Sequence, residues 1–158
     1  MTDITLINRA LIDQVIEQAA VSPRRRMNYN FHTAPEDNPH RMLNILMHDT
    51  YIAPHRHLNP DKPESFLVLE GVARIVCFDD EGTPTAVHRL SAPGMGETWG
   101  IDLKAGVWHT IYSESEYSVC YEVKPGPWRP ATDKDFAPWA PRENQPGWQE
   151  YLSYLKGL

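Results

Sequence analysis

Between Arg41 and Lys124 the chain reads as a succession of short, strand-like segments separated by turn chemistry, and this spacing restricts the fold more than any other feature. The segments are Arg41 to His48, Tyr51 to His57, Ser65 to Glu70, Ala73 to Phe78, Thr85 to Leu90, Thr98 to Leu103, Trp108 to Ser113 and Tyr117 to Lys124. Runs such as Asp79-Asp80-Glu81-Gly82 and Ala92-Pro93-Gly94 mark the turns. Ahead of them a single helix is expected over Asn8 to Ala20, where Leu11, Ile12, Val15, Ile16 and Ala19 recur at helical spacing until Ser22-Pro23. Many short strands after one early helix predict an all-β sandwich or barrel rather than a parallel α/β sheet.

Two histidines stand one residue apart within these strands, at His55 and His57. Side chains alternate faces along a strand, so both imidazoles point the same way while Arg56 points opposite. Glu64 follows, and His109 comes after the turn-like run Lys104-Ala105-Gly106-Val107-Trp108. Imidazole nitrogen and carboxylate oxygen together suit one divalent transition metal (Zn, Fe, Mn, Ni or Co), and His55, His57, Glu64 and His109 would leave coordination positions for water or substrate. Asp61 is a rival carboxylate. Glu64 is preferred because ESFLVLEG reads as ligand, strand and tight turn, whereas Asp61 lies in a loop flanked by Pro60 and Pro63. Of the other histidines, only His32 is kept as a candidate for a second site.

The spacing resembles the cupin superfamily, whose first motif places two histidines around one residue, then a Glu, then a Gly after six intervening residues. His55-Arg56-His57 and Glu64 to Gly71 fit, although LNPDKP is longer than the usual gap between the second His and the Glu. In the second motif Gly106 and His109 stand in the expected relation, with Lys104 at the usual Pro position and Ser113 at the usual Asn. The chain further resembles the WbuC-like family of small bacterial cupin metalloproteins, some of them associated with O-antigen gene clusters. The stretches that carry the resemblance are SPRRRMNYNFH, RMLNILM, APHRH, ESFLVLEG, VWHT, YEVKPGPW and DKDFAPWAP. It implies a cupin double-stranded β-helix, or jelly-roll barrel, with a His/Glu metal site, and pairing of cupins through their sheets implies a homodimer. It implies no particular reaction.

Strand parity adds candidates around the metal. If Val119, Tyr121 and Val123 face one side, Cys120, Glu122 and Lys124 face the other, and an acid beside a lysine inside a barrel is costly to bury. Glu122 and Lys124 are therefore the catalytic candidates, with Glu122 as general acid or base; a structural ion pair is the competing reading. Arg41, in an otherwise apolar strand, is a candidate for binding a substrate anion. Tyr51 shares parity with His55 and His57 and is a second substrate-binding candidate, against the plainer expectation that a strand aromatic packs. Asn28 and Asn30 are weighed as pocket residues. The run Arg24-Arg25-Arg26 is either a solvated cluster or an anion site.

After Lys124 the composition shifts to PGPWRPATDKDFAPWAPRENQPGW, in which prolines interrupt any strand ladder. Trp128, Trp139 and Trp148 are expected to lay this arm onto the barrel or a neighbouring subunit, with a short helix from Trp148 to Leu155. The expected organisation is one cupin domain over 1–158, with the helix in 1–22, the barrel in 28–124 and the arm in 125–158. A net charge of -6 argues against nucleic-acid binding. No apolar run approaches the roughly 18 to 20 residues of a membrane helix. Without a signal-peptide pattern, and with only Cys77 and Cys120, the expectation is a cytoplasmic protein with buried thiols. The expected function is a metal-binding cupin, an isomerase-like or dioxygenase-like enzyme acting on a small anionic, polar or sugar-derived metabolite. The alternatives are a non-catalytic cupin that binds or senses a small ligand, and a purely structural metal.

Overall fold

The computed structural model describes residues 4–158. In chain order its elements are α1 (Arg9–Val21), β1 (Arg26–Asn30), β2 (His40–Met47), β3 (His55–Arg56), β4 (Glu64–Glu70), β5 (Val72–Phe78), β6 (Pro84–Ser91), β7 (Gly100–Leu103), β8 (Trp108–Ser113), β9 (Tyr117–Lys124), β10 (Asp135–Phe136) and α2 (Trp148–Lys156). The strands form two five-stranded sheets, ordered β1-β2-β9-β4-β7 and β10-β3-β8-β5-β6. All pairings are antiparallel. This is the all-β architecture that the strand spacing predicts.

Period-two alternation sorts each strand between two environments. On β9, Cys120 packs between the sheets with Leu46, Phe66, Val68, Ile75, Leu90 and Ile111. Val119 and Tyr121 point outward and meet α1 through Ile12, Val15 and Ala19, together with Leu43 and Ile45 of β2. The start of α1 is fixed by Asn8, whose side chain accepts a hydrogen bond from the Leu11 amide at 3.0 Å. Gly71, at φ 72°, makes the turn between β4 and β5 where a Cβ would meet the Tyr117 carbonyl oxygen at 2.4 Å.

The interior is apolar at one end of the strands and polar at the other. Moving along β9 from Cys120 leads to Glu122 and then Lys124, both buried. On the partner strand β4, Val68 lies opposite Cys120 and Phe66 opposite Glu122, and the strand begins at the buried Glu64. The outer face of the second sheet is covered by the arm. Trp139, Trp148, Leu152 and Leu155 pack on Val76, Phe78, Trp108 and Tyr112. Trp128 differs, remaining 44% exposed.

Three features depart from the sequence expectation. The strand expected over Tyr51 to His57 contracts to β3, because Pro54 has no amide to donate and the carbonyls of Tyr51, Ile52 and Pro54 accept from Arg26, Thr110 and Ala137 instead of a ladder partner. The sequence reading omitted β1, although Met27 and Tyr29 alternate outward with Asn28 and Asn30. It also omitted β10, a two-residue strand paired to β3. No helix among the described residues is long and apolar enough to cross a membrane.

Candidate metal centre

His55 and His109 are direct cross-strand neighbours on β3 and β8. Their rings lie 4.6 Å apart between centroids. His57, just past β3, keeps the same face, while Arg56 turns outward to Asp135 at 2.8 Å and stacks its guanidinium 4.1 Å from the Trp108 ring. Glu64 opens β4 on the facing sheet. One ligand atom from each of His55, His57, Glu64 and His109 lies within 4.8 Å of the other three, and all four residues are buried. Opposed ligands of one ion with bonds of about 2.0 to 2.2 Å stand roughly 4 Å apart, so the cluster has the dimensions of a single mononuclear site. Asp61 is exposed and lies outside it.

The tautomers make a cation the natural occupant. Each Nδ1 faces a backbone carbonyl: Ala53 at 3.0 Å for His55, Val107 at 2.9 Å for His109, and Asp133 for His57. A carbonyl only accepts, so every Nδ1 carries the proton and every neutral ring presents a lone pair at Nε2. Two of these meet the same carboxylate, with His57 Nε2 3.0 Å from Glu64 Oε1 and His109 Nε2 3.0 Å from Glu64 Oε2. His57 Nε2 makes no hydrogen bond. Lone pairs facing a carboxylate repel, and burying three imidazolium rings instead would place several charges in a dry site. One divalent ion satisfies all four groups. The residues therefore fit the metal that their chemistry implies.

The pKa shifts follow from burial and proximity. Burial, with Lys134 and His109 adding to it, pushes His55 well below the ordinary imidazole value. Burial also opposes the charge on Glu64, but its contacts with His109 and His57 and the nearby Lys124 charge hold it well below the carboxylate range. Lys124 Nζ lies 3.3 Å from Glu64 Oε1, 3.5 Å from Glu122 Oε1 and 3.5 Å from Asp133 Oδ2. Desolvation disfavours its charge, yet Glu122, Glu64 and Asp133 outweigh it and raise its pKa.

Beside this cluster lies a cavity of about 540 Å³ whose wall includes Asn28, Asn44, Glu122, Lys124, Lys134 and Phe136. The three histidines are not part of its wall, but Phe136, which is, lies 6.0 Å from the His55 ring. Glu122 is held in place by Asn44 Nδ2, which donates to its Oε2 at 2.9 Å. Arg41 and Tyr51 are placed elsewhere. Arg41 shares the parity of Leu43 and Ile45, so it is on the outer face of β2, exposed, donating to the Phe31 carbonyl at 3.2 Å. Tyr51 is buried among Trp148 and Tyr151, and its hydroxyl donates to the Pro141 carbonyl at 2.7 Å. The contraction of the strand before His55 breaks the parity that would have aligned Tyr51 with the histidines.

The arginine run is not a free anion site, because Arg25 pairs with Asp49 at 2.9 Å while Arg24 and Arg26 share Glu143. His32 stacks on His40 with centroids 3.9 Å apart, lining with Asn30 an adjoining cavity of about 410 Å³ that shares Asn28, Lys124 and Trp128 with the first. Sequence reasoning missed Lys62, Asp133 and Lys134. All three lie in loop-like stretches where strand parity gives no orientation, so the only signal was their place in or beside the prolines.

Residues 7–90 match the family described as "Domain of unknown function (DUF6016)", a span that includes His55, His57 and Glu64. No curated protein matches the sequence. Among solved structures, the capsular polysaccharide assembling protein CapF of Staphylococcus aureus is similar over 73% of this chain at 20% identity and a TM-score of 0.58. The chain spans only 32% of CapF. An uncharacterized conserved protein with a double-stranded β-helix domain from Klebsiella pneumoniae is similar over 87% of this chain and 98% of its own, at 14% identity and a TM-score of 0.57. KdgF from Halomonas sp. is similar over 70% of this chain and 86% of its own, at 16% identity and a TM-score of 0.50. These likenesses establish the fold as the cupin double-stranded β-helix.

Proposed function

The chain belongs to the family described as a domain of unknown function, DUF6016, and from that premise we propose that it is a metal-dependent cupin enzyme acting on a small polar or sugar-derived metabolite. The observation that carries the reading is the convergence of three histidine lone pairs and the Glu64 carboxylate within 4.8 Å of one another, beside a cavity that holds a second carboxylate, Glu122. When bound, a divalent transition metal would supply Lewis-acid polarisation of a substrate oxygen, or an oxygen-activating centre if the metal is Fe(II). Glu122, fixed by Asn44 and adjacent to Lys124, would hold or move a proton at its Oε1. Lys124, standing between the two carboxylates, would help keep Glu64 ionised. Asn28, Asn44 and the partly exposed Trp128 give the cavity the mixed amide and aromatic lining that suits a polyhydroxylated ligand.

Within the cupins the reading includes a WbuC-like kinship, supported by the stretches that carry it: APHRH, ESFLVLEG and VWHT contain the four metal residues, and YEVKPGPW and DKDFAPWAP contain Glu122, Lys124, Asp133 and Lys134. It also includes a homodimer, for which exposed Leu67, Met95 and Trp99 supply apolar surface; a monomeric mass by light scattering would remove that part.

Elemental analysis of protein purified without an affinity tag tests the core of the proposal. The expected result is one divalent transition metal per chain, lost in His55→Ala and His109→Ala. Retention of the same stoichiometric metal by both variants would overturn the site. Oxygen consumption by the Fe(II) form that the Zn(II) form lacks would select the dioxygenase-like branch over the isomerase-like one.

A further inference from the structure

We infer that Lys134 is the binding point for a carboxylate or phosphate group on the ligand that the cavity takes. The inference deepens the function proposed above, since the ligand is the one held at the His/Glu centre. It rests on a charge left over when the others around the cavity are matched. Arg24 and Arg26 are paired with Glu143. Lys62 is paired with Asp133 at 2.9 Å, and Lys124 stands among Glu64, Glu122 and Asp133. Lys134 lines the same cavity, and among the described residues it has no ion pair or side-chain hydrogen bond.

Its sequence neighbours do not serve it. The Asp133 carboxylate turns to Lys62, and the Asp135 carboxylate turns to Arg56 on the outer face at 2.8 Å. With no carboxylate among the described residues within ion-pair distance, its half-buried ammonium is left to take an anion supplied from outside the chain. A neutral sugar hydroxyl would not compensate the charge. The lysine also has the right state for this role: burial lowers its pKa to about 8, which still leaves most of it protonated at pH 7. The local excess of positive charge runs against the chain's overall -6, which marks the cavity as selectively attractive to anions. A bound divalent metal adds to that attraction.

The test is calorimetric titration of the metal-loaded full chain at pH 7 with malonate and, separately, with inorganic phosphate. The parent should bind at least one of them saturably, and the arm that responds tells carboxylate from phosphate. Lys134→Met should weaken that binding tenfold or more, Lys134→Arg should retain it within a few-fold, and both should keep the parent's metal content by elemental analysis. Equal binding by parent and Lys134→Met overturns the inference, as does a parent that binds neither probe at millimolar concentration. Parent stripped with EDTA separates this from the metal reading. Binding lost on stripping but unchanged in Lys134→Met places the anion on the metal and overturns the Lys134 site. Binding lost in Lys134→Met, in a parent that never takes up metal, leaves the Lys134 site standing and overturns the metal centre.

Discussion

His57 and Asp133 are joined by a hydrogen bond from the imidazole Nδ1 to the backbone carbonyl oxygen, so a ring that faces Glu64 is oriented by the C-terminal arm. The arm is itself anchored at that residue, where the Asp133 carboxylate accepts from Lys62 at 2.9 Å and approaches Lys124 at 3.5 Å. Barrel, arm and metal cluster are thus one hydrogen-bonded unit. The arm fixes which nitrogen of His57 carries the proton.

Loosening that anchor should loosen the metal. Asp133→Asn leaves Lys62 as an uncompensated buried charge, which costs ~3–5 kcal/mol of folding stability, and it should weaken metal binding about 10- to 100-fold by freeing His57. Urea unfolding and titration against a competing chelator read the two effects. The acid side follows from the lowered Asp133 pKa: burial opposes the charge, but Lys124 and Lys62 more than offset it. The stabilisation is present above the ordinary Asp value and is lost as pH falls through the lower folded value, so the variant should show a shallower acid destabilisation. A variant with the parent's metal affinity would show that the arm does not orient His57.

Lys134 carries the opposite sign. Its folded pKa of about 8 lies below the unfolded value of 10.5, so the unfolded chain binds more protons between them and stability rises with pH across that window. The penalty is fully present below pH 8. Lys134→Met in metal-free protein should therefore be more stable than the parent at pH 7, by at most ~3 kcal/mol before discounting for the solvent that reaches its half-buried stem, and the rise from pH 8 to 10.5 should vanish. Thermal melts over that range test it; a variant less stable than the parent at pH 7 contradicts the assignment.

Glu122 separates metal retention from chemistry. It contacts Asn44 and Lys124 but lies outside the four-residue cluster, and Lys124 keeps Glu64 and Asp133 after its loss. Glu122→Gln should hold metal at the parent's stoichiometry, with affinity changed less than about tenfold, while turnover of an identified substrate disappears. Unchanged turnover would make the carboxylate a structural partner of Lys124 only.

The legible part of this molecule was whatever a period of two expresses. His55 and His109 sit on strands whose alternation fixes which way they face, His57 keeps that alternation just past β3, and Glu122 and Lys124 followed from β9 by the same rule. Parity fails where the ladder stops. Tyr51 was aligned with the histidines by counting through Pro54, where the backbone leaves the ladder. Arg41 was singled out by its charge, although its parity with Leu43 already sent it outward. Asp133 is held by a contact spanning some seventy residues of sequence, that with Lys62, and no local pattern encodes it or the neighbouring Lys134.

Metal removal should cost stability because it leaves the His57 and His109 lone pairs facing the Glu64 carboxylate with no cation between them. A ligand present at 100 times its dissociation constant adds ~2.7 kcal/mol to a folded chain. For a chain of 158 residues, at roughly 2–4 °C per kcal/mol, EDTA should lower the melting temperature by about 5–11 °C, and stoichiometric re-addition should restore it. Glu64→Gln should narrow this difference, because the carboxylate contributes much of the attraction. An unshifted melt after verified stripping would count against a buried ligand set.

Tyr51 and Arg41 provide the matched negative test. The Tyr51 hydroxyl is buried and donates to the Pro141 carbonyl at 2.7 Å, tying the arm to the segment before β3, so Tyr51→Phe should cost about 0.5–1.5 kcal/mol in urea unfolding. It should leave metal content and malonate or phosphate affinity where they are in the parent, since the ring packs on Trp148 rather than lining the cavity with Lys134. Arg41→Ala should be quieter still, within ~0.5 kcal/mol, because the guanidinium is exposed and gives up one hydrogen bond to the Phe31 carbonyl. A tenfold loss of anion affinity in Arg41→Ala with Lys134→Met unaffected would move the anion site to the outer face of β2. The side-chain directions along β2 argue against that outcome: Asn44, not Arg41, is the β2 side chain that reaches Glu122.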